Sequence, residues 1–105
     1  MARDVIQEIK DEIGQNKILI YMKGNRVFPQ CGFSAATVKV FEQLGVDFET
    51  VDILEDPEKR QAIKEFSSWP TIPQVYVDGT FIGGCDIVCD LFERGELQTV
   101  VKGGA

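Results

Sequence analysis

Apolar residues change their spacing several times along the chain, and each change marks an element. Val5, Ile6, Ile9 and Ile13 share one face at three-to-four-residue spacing. With Asp4 as N-cap and Gly14 as stop, they predict an amphipathic helix. Ile18-Leu19-Ile20-Tyr21-Met22 is a continuous apolar run of strand length, followed by the turn residues Lys23-Gly24-Asn25. Helical spacing returns at Val38, Phe41 and Leu44 and stops at Gly45. Phe48 to Ile53 reads as a second strand. Asp56-Pro57 reads as an N-cap with proline in the first turn of a helix through Arg60, Ala62, Ile63 and Phe66. Gln74–Val77 and Thr80–Ile82 flank Asp78-Gly79, a strong hairpin signal. Gly83-Gly84 closes that hairpin and Asp86 is expected to cap a helix through Leu91 and Phe92. Gly95 interrupts, and Glu96 to Val101 adds a final turn or two.

Two β runs joined by a helix imply a parallel pair with a right-handed crossover, whereas the hairpin is antiparallel. The expected fold class is therefore α/β, a four-stranded mixed sheet flanked by helices, the arrangement of the thioredoxin-like fold. At 105 residues the chain has room for one domain, taken as residues 1–105, and it shows no internal repeat. The apolar share of 44% and charged share of 27% are those of a globular protein, so disorder is not indicated. No apolar run approaches the ~18 residues that span a bilayer, and Met1-Ala2-Arg3-Asp4 lacks a signal-peptide core. A soluble chain is expected; a transit peptide removed earlier would leave no trace in this sequence.

Charge and cysteine usage narrow the chemistry. A formal charge of −6 with no compensating Lys/Arg cluster argues against a nucleic-acid surface. The cysteines, Cys31, Cys85 and Cys89, are odd in number and form neither a disulfide framework nor a C-x-x-C zinc pair. Reactive or ligating thiols in a reducing compartment suit them better. The chain has no histidine, which leaves a cysteine-protease reading without its usual base.

Cys31 lies in Pro29-Gln30-Cys31-Gly32-Phe33-Ser34, after the first strand and at or just before a helix N-terminus. There, unpaired amides and the helix dipole stabilise a thiolate. The alternative, a buried cysteine filling a core gap, sits badly with Pro, Gly and Ser beside it. Trp69-Pro70-Thr71-Ile72-Pro73 is stiffened by its prolines ahead of a strand, and a cis Ile72-Pro73 bond is expected. Such a bond would present the Ile72 backbone to an extended peptide; a stiff turn with no ligand is the other reading. Gly83-Gly84-Cys85-Asp86 either relieves crowding or admits a ligand to free helix amides. If the hairpin lies beside the Ile18 strand, Cys85 and Cys31 share one end of the sheet. Lys23, Arg26 and Arg60 are the cations available near that end, though each alone is more often a solvated surface charge. Lys23 is the best placed, because it ends the strand leading to the thiol.

Together, Lys23-Gly24, the Cys31-Gly32-Phe33-Ser34 stretch, Trp69 to Gln74 and Gly83 to Ile87 resemble the monothiol glutaredoxins of the C-G-F-S type. The resemblance spans nearly the whole chain. Arg26 and the Gly95-Glu96-Leu97 ending look most like cyanobacterial and plastid members, whereas Asn25-Arg26 departs from the Thr-Pro common after Lys-Gly. The resemblance implies a glutathione site. Lys23 and Arg60 would hold the glycine carboxylate, Ile72 the cysteinyl backbone, and Cys85 with Asp86 the glutamyl end. It also implies chloroplast or plastid stroma, cytoplasm or mitochondrial matrix as the reducing compartment.

Cluster carriage leads among the functions. One thiol cannot fill the four thiolate positions of a [2Fe-2S] cluster, so two chains, each with Cys31 as metal ligand, and two glutathione thiols are needed. The protein is then expected to be a monomer when apo and a homodimer when loaded, passing its cluster to apo iron-sulfur proteins. The alternative is a glutathione-dependent thiol-disulfide oxidoreductase in which Cys31 attacks a mixed disulfide and a second glutathione resolves it. Ser34 stands where dithiol relatives carry a second cysteine, which rules out local disulfide closure. A thioredoxin-like adaptor with a vestigial site is the third reading, disfavoured by intact Lys23, Cys31 and Asp86. On oxidation, Cys85 is the expected intramolecular partner of Cys31, with Cys89 a helical turn further away.

Overall fold

Ile18–Met22 forms strand β1, and every one of its residues is buried. Alternate side chains of a strand point to opposite faces, so a run apolar throughout calls for cover on both sides. The computed structural model describes residues 3–102. In chain order β1 is preceded by α1 (Val5–Gln15) and followed by α2 (Gly32–Leu44), β2 (Glu49–Asp52) and α3 (Pro57–Ser67). Then come β3 (Gln74–Val77), β4 (Thr80–Gly83), α4 (Cys85–Glu93) and α5 (Leu97–Val101).

The sheet is four-stranded in the order β2-β1-β3-β4. β1 pairs in parallel with β2, Leu19 opposite Glu49, and antiparallel with β3, Leu19 opposite Tyr76. The hairpin therefore does lie beside β1, and helices flank both faces of a mixed sheet, the thioredoxin-like arrangement. Ile18, Ile20 and Met22 pack with Val38, Phe41, Val75, Val88 and Leu97 under α2, α4 and α5. Leu19 and Tyr21 pack with Ile9, Ile13, Ile63 and Tyr76 under α1 and α3.

Local signals explain most boundaries. The carboxylates of Asp4 and Asp56 accept the amides of Gln7 at 3.0 Å and Lys59 at 3.1 Å, capping α1 and α3. Gly45 ends α2 in the left-handed conformation, and Asp78-Gly79 turns the hairpin with both φ angles positive. Several boundaries differ from the sequence expectation by a residue or so, among them a helix end, a strand and a helix start. α1 continues through Gly14 to Gln15, because Asn16 takes over as C-cap and donates its side-chain amide to the Glu12 carbonyl at 2.9 Å. The second strand is limited to Glu49–Asp52, while Phe48 and Ile53 are buried flanks outside the ladder. α4 starts at Cys85 with Gly84 as N-cap, so Asp86 lies in its first turn rather than capping it.

Candidate functional site

The thiol of Cys31 is positioned by a short chain of hydrogen bonds between β1 and α2. Ser34 is completely buried, and its hydroxyl accepts the Lys23 amide at 3.1 Å, tying the first turn of α2 to the end of β1. Gln30 donates its amide to the Lys23 carbonyl at 2.9 Å, and Gly24 bridges to Pro29. Between these ties, the Asn25 carboxamide oxygen accepts the amides of Val27 at 2.9 Å and Phe28 at 2.8 Å. Gly24 has φ 85°, and a Cβ there would come within 2.5 Å of the Phe28 carbonyl oxygen, so this tight loop requires glycine. The loop leaves Val27 and Phe28 about 70% exposed beside the site (71% and 69%).

Cys31 is the N-cap of α2, in extended backbone at φ −150°, and its carbonyl accepts the Ala35 amide at 2.9 Å. Chiefly the Ser34 amide, then the Phe33 amide and the charge of Lys23, hold its thiol below the ordinary value, against an opposing desolvation. This is the helix-terminus stabilisation of an anion that its sequence position predicted. The sulfur is only partly covered.

A cleft of about 460 Å³ beside the thiol brings together Lys23, Arg60, Ile72, Cys85 and Asp86, five of the residues singled out from the sequence. Arg60 is presented by α3, and Cys85 and Asp86 by the free N-terminal turn of α4. Ile72 precedes a cis bond to Pro73 and lies outside the ladder, whose pairing with β1 begins at Gln74. The buried Gln74 side chain holds this segment by donating to the carbonyls of Trp69 at 3.0 Å and Thr71 at 3.3 Å. Gly84 packs against the same segment so closely that a Cβ would lie 3.1 Å from the Pro73 carbonyl oxygen. The stiff proline segment is thus held against the start of α4.

The cleft also holds residues that the sequence reading did not assign. Lys64 lines it one helical turn beyond Arg60, and that i,i+4 spacing was the available signal. Phe33, 63% exposed, and Ile87, 39% exposed, add apolar rim. Arg26, by contrast, is turned away: its guanidinium lies 3.9 Å from the Phe48 ring centroid and donates to the Phe48 carbonyl at 3.0 Å. Cys89 lies off the cleft, its sulfur 3.7 Å from that of Cys85. Burial, and then the neighbouring Cys85 thiol, push its own thiol up to about 11.

The glutaredoxin family model matches residues 18–82, from the first residue of β1 into β4. This chain belongs to the glutaredoxin family. The matched region includes Cys31, Arg60 and Ile72 and stops just short of Cys85. Over 87 residues, 83% of this glutaredoxin and 81% of the relative, it is 54% identical to a monothiol glutaredoxin ycf64-like protein of Synechocystis. It is 50% identical over 102 residues, 97% of its length, to the chloroplastic monothiol glutaredoxin-S7 of rice, of which that match covers 61%. The solution structure of reduced poplar apo GrxS14 superposes with a TM-score of 0.82 at 45% identity, covering 92% of this chain and 89% of that one. The resemblance to monothiol glutaredoxins of cyanobacterial and plastid type therefore holds. Among the described residues, no helix is long and apolar enough to cross a membrane.

Proposed function

We propose that this glutaredoxin binds glutathione in the Cys31 cleft and, as a homodimer, carries a [2Fe-2S] cluster to apo iron-sulfur proteins. The whole of residues 1–105 serves as one domain in this reading. The observation that carries it is a partly exposed, anion-stabilised thiol without a cysteine three residues on, facing a tripeptide-sized cleft. A volume of about 460 Å³ lies within the ~300–1,000 Å³ of small-ligand sites. Lys23 and Arg60 hold the glycine carboxylate of glutathione, with Lys64 adding charge. The Ile72 backbone pairs with the cysteinyl residue, and the α4 amides at Cys85 and Asp86 receive the glutamyl carboxylate while the Asp86 side chain meets its amine.

Among the described residues, no group of three or more His, Cys, Asp and Glu side chains stands together as a metal site. In this reading one chain offers the cluster its N-cap thiolate, Cys31, and each bound glutathione offers another. Two such halves supply four sulfur ligands, the number a [2Fe-2S] cluster takes. Half of those ligands exchange with solvent, which gives the cargo a route out. The apo chain is a monomer and the loaded assembly a dimer held chiefly by its cargo.

The lowered Cys31 thiol also supports a second reading, glutathione-dependent reduction of mixed disulfides: the thiolate attacks, and a further glutathione resolves the intermediate. Anaerobic reconstitution with iron and sulfide, with and without glutathione, followed by size-exclusion chromatography with iron and glutathione quantification, separates the two. A dimer with bound glutathione and one cluster is expected. A stable loaded monomer, or a loaded dimer lacking glutathione, overturns the carrier reading.

A further inference from the structure

Gln74 is completely buried at the start of β3 and does not line the cleft, whereas Trp69, Pro70, Thr71, Ile72 and Pro73 all do. A polar side chain taken out of water costs free energy unless it is bonded, and both ends of this one are bonded. Its amide nitrogen donates to the Trp69 carbonyl at 3.0 Å and the Thr71 carbonyl at 3.3 Å, and its oxygen accepts the Tyr76 hydroxyl at 3.2 Å. Carbonyls only accept, so the amide has one workable orientation, and Tyr76, two residues on and on the same face of the strand, locks it. Tyr76 is itself buried against the rings of Tyr21 and Phe81.

These bonds run from position 74 back to Thr71 and Trp69, and so enclose Ile72 and its cis bond to Pro73. Pro70 and Pro73 have no amide to give to a ladder, so a side chain does here what backbone pairing does elsewhere in the sheet. At its other end the segment is tied to α3, where the Trp69 amide donates to the Lys64 carbonyl at 3.2 Å and the Ser67 hydroxyl at 3.1 Å. Arg60 and Lys64 stand on that helix and line the cleft. The Ile72 backbone is therefore held at a set separation from the two cations.

We propose that Gln74 is a positioning residue that gives the cleft its preference for glutathione disulfides over small disulfides without a peptide, by fixing the Ile72 backbone relative to Arg60 and Lys64. This rests on the glutathione reading above. A ligand's carboxylate and its peptide backbone are engaged together only when that separation matches, and a disulfide lacking both is indifferent to it.

The test reacts the reduced full chain with glutathione disulfide and, separately, with hydroxyethyl disulfide, following loss of the Cys31 thiol by peptide mass mapping. In each reaction the Cys31 thiolate attacks one sulfur, forms a mixed disulfide and releases the other half of the reagent as a thiolate. Gln74→Met, of similar size but without the hydrogen bonds, is expected to slow the glutathione reaction about tenfold, since a displacement of about 1 Å can cost about 100-fold. Its reaction with hydroxyethyl disulfide, and the pH midpoint of Cys31 alkylation, stay at the wild-type values. Should Gln74→Met not fold by circular dichroism, Tyr76→Phe, which frees the amide to turn over, takes its place and lowers the same preference about threefold, the worth of one hydrogen bond. A preference for glutathione disulfide that the substitution leaves unchanged overturns the positioning role alone. A wild-type chain without that preference overturns the glutathione cleft and this role with it.

Discussion

The two faces of the sheet are built from different materials. Beneath α2, α4 and α5 the packing is almost wholly apolar, centred on Phe41, Val88 and Leu97, and all three cysteines belong to these helices or their caps. Beneath α1 and α3 an apolar centre around Ile9 and Ile63 is sealed by ions. Arg3 bridges Glu8 and Asp56, each at 2.6 Å, and the buried Lys59 pairs with Glu12, which also accepts the Tyr21 hydroxyl at 2.8 Å. The cleft takes its thiols from the first face and Arg60 and Lys64 from the second, with Lys23 from the loop that leaves β1 between them. Each face thus fixes one half of the chemistry, and the sheet sets the distance between the halves.

The sharpest way to separate the faces is Cys31→Ser. A hydroxyl neither ionises near neutral pH nor ligates iron comparably, so cluster binding and thiol transfer are expected to vanish while the fold survives. Reconstitution absorbance and circular dichroism check this, and a serine variant holding a normal cluster would refute the ligand assignment. Next comes Phe41→Ala. Its side chain is fully buried on the thiol face, so a loss of about 3–5 kcal/mol is expected in denaturant unfolding. A loss below 1 kcal/mol would mean that this face is not the tightly packed one.

Lys59→Met probes the other face. It leaves the Glu12 carboxylate, which still accepts the Tyr21 hydroxyl, without its cation, at a cost of roughly 1–3 kcal/mol. A double substitution with Glu12→Gln should recover part of that loss. Purely additive losses would show that the pair is a surface ornament rather than a seal.

The smallest effect is a pH dependence. Arg3, and then the Lys59 amide, hold the Asp56 carboxyl at about 2, below its ordinary 3.8. A lowered carboxyl contributes stability above its unfolded value and loses it on protonation, so this contribution fades as pH falls from 3.8 through about 2. Asp56→Asn keeps a capping oxygen and removes the charge. Its stability is expected to fall less steeply over that window, measured by denaturant unfolding at successive pH values, and an unchanged slope would locate the acid sensitivity elsewhere.

By itself the sequence determined what local physics decides. The unbroken apolar run Ile18–Met22 required a strand covered on both sides, Asp56-Pro57 required a helix start, and Asp78-Gly79 required a tight hairpin. Cys31 was legible because the residues placing it at a helix N-terminus are its immediate neighbours, and that placement lowers its thiol. Other features depend on which residues distant in sequence become neighbours in space. Asp86 looked like a cap, but the α4 start is set by Gly84 packing against Pro73. Arg26 looked like a site cation, but the Phe48 ring and carbonyl, far along the chain, hold it elsewhere. Gly14 looked like a stop, yet the helix runs one residue past it to Gln15, with Asn16 as its C-cap. Lys64 joined the cleft only because α3 docks with that edge toward the thiol, and Cys89 acquired Cys85 as a neighbour through the helical turn between them. Local sequence encodes dihedral preferences and caps; the distances that make a site arise from packing, which couples all parts of the chain at once.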